Sequence, residues 1–137
     1  MSYAMAEALQ TAVYNCLISN QVVSGLVGHA IFDALPMGEA PKTYIALGPE
    51  TARSQSDSSG QSAEHRFVVS VVTDDAGFGI AKRTAAAVEG ALTDADLSLN
   101  RGRLVGLWFE RAIARRAGKA GRARRIDLRF RARVEDI

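Results

Sequence analysis

From Ile126 to Val134 the chain alternates without a break. Ile126, Leu128, Phe130, Ala132 and Val134 are apolar, while Arg125, Asp127, Arg129, Arg131, Arg133 and Glu135 stand between and beside them. Successive side chains leave a strand on opposite sides, so a period of two predicts an extended segment with one face on a core and the other toward water or a partner. A helix would scatter the same apolar residues around its whole circumference. A second extended segment, 104–116, comes just before it, and Ala117-Gly118-Lys119-Ala120-Gly121 separates the two. The pair reads as a β-hairpin with strands over 104–116 and 122–135. The first strand is apolar on both sides at its start, with Val105, Leu107 and Phe109 on one and Leu104 and Trp108 on the other. That pattern predicts a more central strand, or one covered by a helix or a neighbouring subunit.

Upstream, Met5, Leu9, Ala12, Val13, Cys16 and Leu17 recur every three or four residues, predicting a helix over 3–19 with Ser2 as its N-cap. Residues 20–28 read as a glycine-containing connector, 29–35 as a short strand stopped by Pro36, and 44–47 as the next strand. A polar, Ser-rich run over 49–64 has almost nothing to anchor it to a core and is expected to be a mobile loop. The run from His65 to Thr73 alternates as a strand. After Asp74-Asp75-Ala76-Gly77 the period changes to about 3.6, with Ile80, Thr84, Val88 and Leu92 along one side of a helix that Asp74 and Asp75 are placed to cap. The order α-β-β-β-α-β-β predicts an α+β fold: an antiparallel or mixed sheet of about five strands with two helices packed on it. With 137 residues, one domain over 1–137 is expected.

Composition narrows the function classes. No apolar run approaches the roughly 20 residues needed to span a bilayer, and the first residues lack the layout of a signal peptide. Cys16 has no partner for an intrachain disulfide and falls on the apolar side of its helix, so a buried, inert thiol is expected. His29, His65 and Cys16 have no metal-ligand spacing, and no cofactor motif is present. His65 is assigned a loop-end hydrogen bond in the absence of a catalytic constellation. Asp94 and Asp96 fall in a polar turn over 93–100. Gly77-Phe78-Gly79 precedes a helix but lacks the Gly-Lys-Ser/Thr ending of a phosphate loop, so it reads as a tight turn.

Net charge is only +2, yet residues 1–50 carry one basic and four acidic side chains, whereas 101–137 carry twelve basic and four acidic. Such polarity suits an acidic partner, either protein or nucleic acid. The basic run Arg115, Arg116, Lys119, Arg122, Arg124 and Arg125 surrounds the hairpin tip without aromatics between its members, so it is not a base-stacking surface.

Pro41, Tyr44, Ile45, Leu47 and Gly48, then His65, Phe67, Val69 and Val71, then Gly77, Ala81, Val88 and Leu92 follow one another in an order that resembles the tail-terminator, or tail-completion, family of long-tailed phages and phage-like gene transfer particles. The resemblance implies a structural virion protein and not an enzyme. It would form a hexameric ring on the head-proximal end of the tail tube, at the tail–neck junction. Its partners would be further copies of itself, the tube protein and a neck or head-completion protein, with DNA passing through the lumen unread and no membrane involved. On that basis Arg53, Ser54 and Asp57 of the 49–64 loop, the hairpin-tip residues, and Arg129 and Arg131 of the charged face are candidate assembly contacts. Two alternatives stay open: another head–tail connector or stopper, and a small basic nucleic-acid-binding module.

Overall fold

A computed structural model of the protein describes residues 3–34, 40–55 and 61–136. One five-stranded sheet has the spatial order β1-β2-β3-β5-β4, formed by Ile31–Phe32 (β1), Thr43–Ser54 (β2), Gln61–Thr73 (β3), Arg103–Ala117 (β4) and Ala123–Asp136 (β5). The short β1 runs parallel to β2 and the other pairs are antiparallel, so the sheet is mixed. Helices α1 (Ala6–Ser19), α2 (Gln21–Val27) and α3 (Gly79–Asp94) pack on one face.

The alternating segment became β5, and it lies inside the sheet with β3 on one side and β4 on the other. Ile126, Leu128, Phe130, Ala132 and Val134 are all buried, beneath a helical layer that contributes Leu9, Val13, Val88 and Leu92. Phe130 is fully buried and stacks on Phe67 at 5.5 Å between ring centroids, with Phe109 tilted against it at 5.7 Å. On α3, Thr84, Val88 and Leu92 are fully buried as the helical period requires, and Thr84 satisfies its hydroxyl by donating to the Ile80 carbonyl at 2.8 Å.

Several expectations need correction. Residues 20–28 are not a connector: Asn20 accepts a hydrogen bond from the Val23 N–H at 3.0 Å and caps α2, which Val23 anchors in the core. The first helix begins at Ala6, with Met5 at its N-cap supplying no side-chain bond; Ser2 lies outside the described residues. The strand assigned to 29–35 is reduced to Ile31–Phe32, and Leu35 and Pro36 lie outside the described residues. Most of the 49–64 segment is strand, because β2 continues to Ser54 and β3 begins at Gln61, with Ala52 opposite His65 and Ser54 opposite Ala63. The polar composition there reflects an exposed strand end that pairs through its backbone. Asp74 and Asp75 do not cap α3, whose N-cap is Phe78 without a side-chain bond; instead Asp75 sits 3.3 Å from Lys42. Thr93 and Asp94 belong to α3, leaving Asp96 in the segment that follows.

The largest correction concerns β4. It is the edge strand and not a central one, and Val105, Trp108, Phe109 and Ile113 are exposed. Register shifts between Leu104 and Gly106 and between Phe109 and Arg111 also change the side each residue takes. Leu104, Leu107 and Phe109 come to lie opposite Val134, Ala132 and Phe130 on the core side, and Trp108 lies opposite Arg131 on the other. A bulge inserts a residue and reverses the alternation beyond it. The turn into β4 requires Gly102, at φ +73°, where a Cβ would sit 2.5 Å from the Glu135 carbonyl oxygen and 2.6 Å from the Met5 sulfur.

Replacing Phe130 with Ala should cost about 3–5 kcal/mol, because it empties a fully buried aromatic site between two other rings. Phe109→Ala should cost less than half as much, since that ring is 39% exposed. Urea unfolding of the two variants beside the parent measures both, and equal losses would mean that Phe109 is as much a part of the core as Phe130.

Candidate assembly surface

The face of the sheet away from the helices is a lattice of guanidinium and carboxylate groups. Strand alternation puts Arg125, Asp127, Arg129, Arg131 and Arg133 of β5 there, and their neighbours on β3 are Val72, Ser70, Val68, Arg66 and Glu64 in turn. Glu110 reaches the same face from the second bulge of β4. Its Oε1 accepts from the Nε of Arg66 at 3.2 Å and of Arg129 at 3.3 Å, and its Oε2 lies 3.8 Å from Arg131. Glu64 takes a second charged bond from Arg66 and one from Arg131 at 3.5 Å. Asp127 accepts from Ser70 at 2.6 Å and from Arg125 at 2.9 Å, with Arg115 3.6 Å away. Arg133 donates to Gln55 at 2.9 Å and to Ser62 at 3.3 Å. The Arg131 guanidinium lies over the Trp108 ring at 4.4 Å, a cation–π contact on the surface.

Partial desolvation would raise the Asp127 carboxyl, but the hydrogen bond from Ser70 and the guanidinium groups of Arg125 and Arg115 outweigh it and hold the group below its ordinary value. Glu110 behaves the same way, with desolvation opposed and overcome by Arg129 and Arg66. On this face the arginines outnumber the acids, so the lattice is ordered and still positive.

The predicted contact residues do not form one site. Arg129, Arg131 and Arg125 join the lattice, and Arg115 touches it through Asp127. Arg116, Lys119 and Arg122 are exposed around the hairpin tip. Arg124 turns back, donating to the Gly121 and Arg122 carbonyls at 3.4 and 3.1 Å and covering the Phe78 ring at 5.5 Å. Arg53 and Ser54 stand near the opposite end of the sheet, where β2 lies against Glu64 and Ala63, whereas Arg124 lies against Thr73. Thr73 lies nine positions beyond Glu64 on β3, roughly 30 Å along the strand. Asp57 lies outside the described residues.

The alternation of β5 already places Arg125, Asp127, Arg129, Arg131 and Arg133 on this face; the sequence reading missed the acids Glu64 and Glu110 and the arginine Arg66 as their neighbours. The parity of β3 places Glu64 and Arg66 once its pairing with β5 is known, whereas Glu110 depends on a bulge that alternation does not reveal. His65 is also not at a loop end. It is fully buried within β3, with Nδ1 3.2 Å from a Glu50 oxygen whose twin accepts from the Tyr3 hydroxyl at 3.1 Å, so it ties the lead-in of α1 to the sheet. Cys16 lines an open groove of about 840 Å³ between α1, α3 and residues 95–98. Its thiol lies 3.4 Å from the Ala91 carbonyl and burial pushes it above its ordinary value, away from nucleophilic use. Among the described residues no group of His, Cys, Asp or Glu is arranged to hold a metal, and no helix is long and apolar enough to cross a membrane.

The family described as tail completion protein gp17 matches residues 11–135, nearly the whole chain. This chain belongs to the tail-completion family. It is therefore a structural protein of the phage tail and not an enzyme. A solved structure described as the virion of a native gene transfer agent particle contains a chain 57% identical to this tail-completion protein, superposing with a TM-score of 0.92 over 98% of this chain and 99% of that one. No curated protein matches.

Asp127 and Glu110 make stability depend on acid. Their folded pKa values lie below the unfolded ones, so their contribution is complete above the unfolded value of about 4 and is lost as pH falls through the folded value. Thermal melts should show the Asp127→Asn variant less stable than the parent at neutral pH, with the gap narrowing as pH falls below the unfolded value of about 4 and the parent carboxyl takes up its proton. A gap independent of pH would refute a charged role for Asp127.

Proposed function

We propose that this tail-completion protein is the tail terminator of a phage or gene transfer particle: a ring of identical copies, six by family resemblance, that caps the head-proximal end of the tail tube, stops its growth and presents the site for the neck. The observation that carries the reading is the end-to-end match to a chain of a gene transfer agent virion. The physical requirement supports it. A tube grown from rings exposes the same polymerising surface after every addition, so an end is made only by a component that binds this surface without regenerating it. Such a component needs two unlike surfaces, and this chain has them, with helices and their groove on one side of the sheet and the arginine lattice on the other.

The lattice suits an acidic protein surface better than a nucleic acid. Arg125, Arg129 and Arg131 already meet carboxylates of the chain, and the Trp108 ring, which would otherwise offer a stacking surface, is covered by Arg131. DNA passing such a ring would be neither stacked upon nor read.

Deletion of the gene should leave heads filled with DNA and tubes present but unjoined, many longer than normal. Electron micrographs decide this: joined particles with uniform tails would exclude the terminator, and empty or leaking heads would indicate a stopper instead.

The double variant Arg129→Gln, Arg131→Gln should melt close to the parent, because Glu110 and Glu64 each keep Arg66 as a partner and exposed ion pairs contribute only about 0–1 kcal/mol. Attachment to purified tubes should weaken, most at low salt where charge steering is strongest. Unchanged attachment beside a large drop in melting temperature would assign these arginines to folding.

A further inference from the structure

The sheet ends in two very different edges. At one, β4 extends through Arg103–Ala117 with β5 on a single side, so its outward N–H and C=O groups face no other strand among the described residues. Val105, Trp108, Phe109 and Ile113 on this strand are each 39–43% exposed. Its bulges and arginines are devices that blunt a free edge. They give no account of four large apolar side chains left about two-fifths exposed on one strand. At the other edge, β1 covers β2 only at Ile45 and Ala46, so the outer side of Glu50–Arg53 faces no strand among the described residues.

Strand polarity makes these edges compatible. Three successive antiparallel steps connect β2, β3, β5 and β4, so β2 and β4 run in opposite directions. If a second copy is set beside the first in the same orientation, its β2 meets β4 antiparallel. The second copy then offers its own β4 to a third. Charge favours this over two β4 edges meeting each other. β4–β4 pairing brings Arg111, Arg115 and Arg116 of both copies together, and like charges across a strand pair are destabilising. The β1–β2 edge instead carries a single arginine, Arg53, with Asp33 exposed on β1's C-terminal side, while Glu50 is engaged by His65 and Tyr3.

We propose that β4 of one copy adds to the Glu50–Arg53 edge of β2 in the next, a head-to-tail strand addition that continues the sheet from copy to copy. The proposal rests on the ring reading above and supplies its interface. Strand addition draws affinity from main-chain hydrogen bonds and specificity from the side chains beside them. In a closed ring it also covers part of the edge that β4 would otherwise offer to unwanted pairing.

Trp108 and Ile113 share a side of the sheet with Thr51 and Arg53 through the register of β3 and β5. The test places cysteines in pairs, Trp108→Cys or Ile113→Cys with Thr51→Cys or Arg53→Cys, in a Cys16→Ser background, and oxidises assembled particles. All four positions are exposed or at the edge, and four pairings allow for stagger between the copies. A ladder of linked copies on a non-reducing gel from at least one pair, absent from each single variant, is the expected result. Linked dimers from Ile113→Cys or Trp108→Cys alone would place β4 against β4 and overturn the proposal. Symmetric copies visible in particle images with no ladder from any pair would overturn the strand addition while leaving the ring intact. A single copy per particle would remove both.

Discussion

Strand β5 is hydrogen-bonded on both sides along almost its whole length, and the rest of the fold is arranged around that fact. Its backbone is committed to β3 and β4, so its side chains have only two directions left, and alternation sorts them. The row from Ile126 to Val134 seats the helices, and the row from Arg125 to Arg133 sets the spacing of the polar lattice. A shift of one residue would bury the arginines and expose the core. Phe130 fixes the register most strongly, because its ring is held between Phe67 and Phe109, one from each neighbouring strand. The burial that stabilises the domain and the order of its charged surface therefore have one cause.

Much of this was legible in the residues. A period of two with no exception identifies a half-buried strand, and the change of period after Gly77 identifies α3. Periodicity reports which residues share a side and nothing about which strand lies beside which, so a segment apolar on both sides suits a central strand and a covered one equally, and β4 is an edge strand and not a central one. Its apolar residues are exposed and its alternation is broken by two extra residues that only a partner strand reveals. Helix α2 escaped notice because seven residues with Gly25 among them give too little pattern; its existence depends on the Asn20 cap and the burial of Val23. Residues 49–54 looked like loop because composition does not show that β3 is available to pair with them. The arginine row of the surface was visible for the same reason as the core row, being its other half. The acids that hold it were not, since Glu64 and Glu110 come from different strands and one of them from a bulge.

The lattice differs from a collection of surface ion pairs. An isolated exposed pair gains little, because two long side chains must be immobilised for one contact in a strongly screening solvent. Here Glu110 serves Arg66, Arg129 and Arg131 together, and Arg66 serves Glu64 as well, so one immobilised group supports several contacts. The arginines are thereby held in fixed positions before any partner arrives, which reduces the ordering cost of a later contact. Their excess over the acids leaves this ordered surface positive.

Gly106 and Trp108 lie two residues apart on β4, and a Cβ built on the glycine would collide with the far edge of the indole ring. The bare backbone at 106 is thus the floor on which the indole rests, and Arg131 lies over it from the next strand. A side chain at 106 would therefore displace the indole, whose exposed far edge has open solvent to swing into, and would leave the strand itself in place. What the glycine protects is the seat of the ring under Arg131, so the surface cation–π contact depends on a residue that has no side chain.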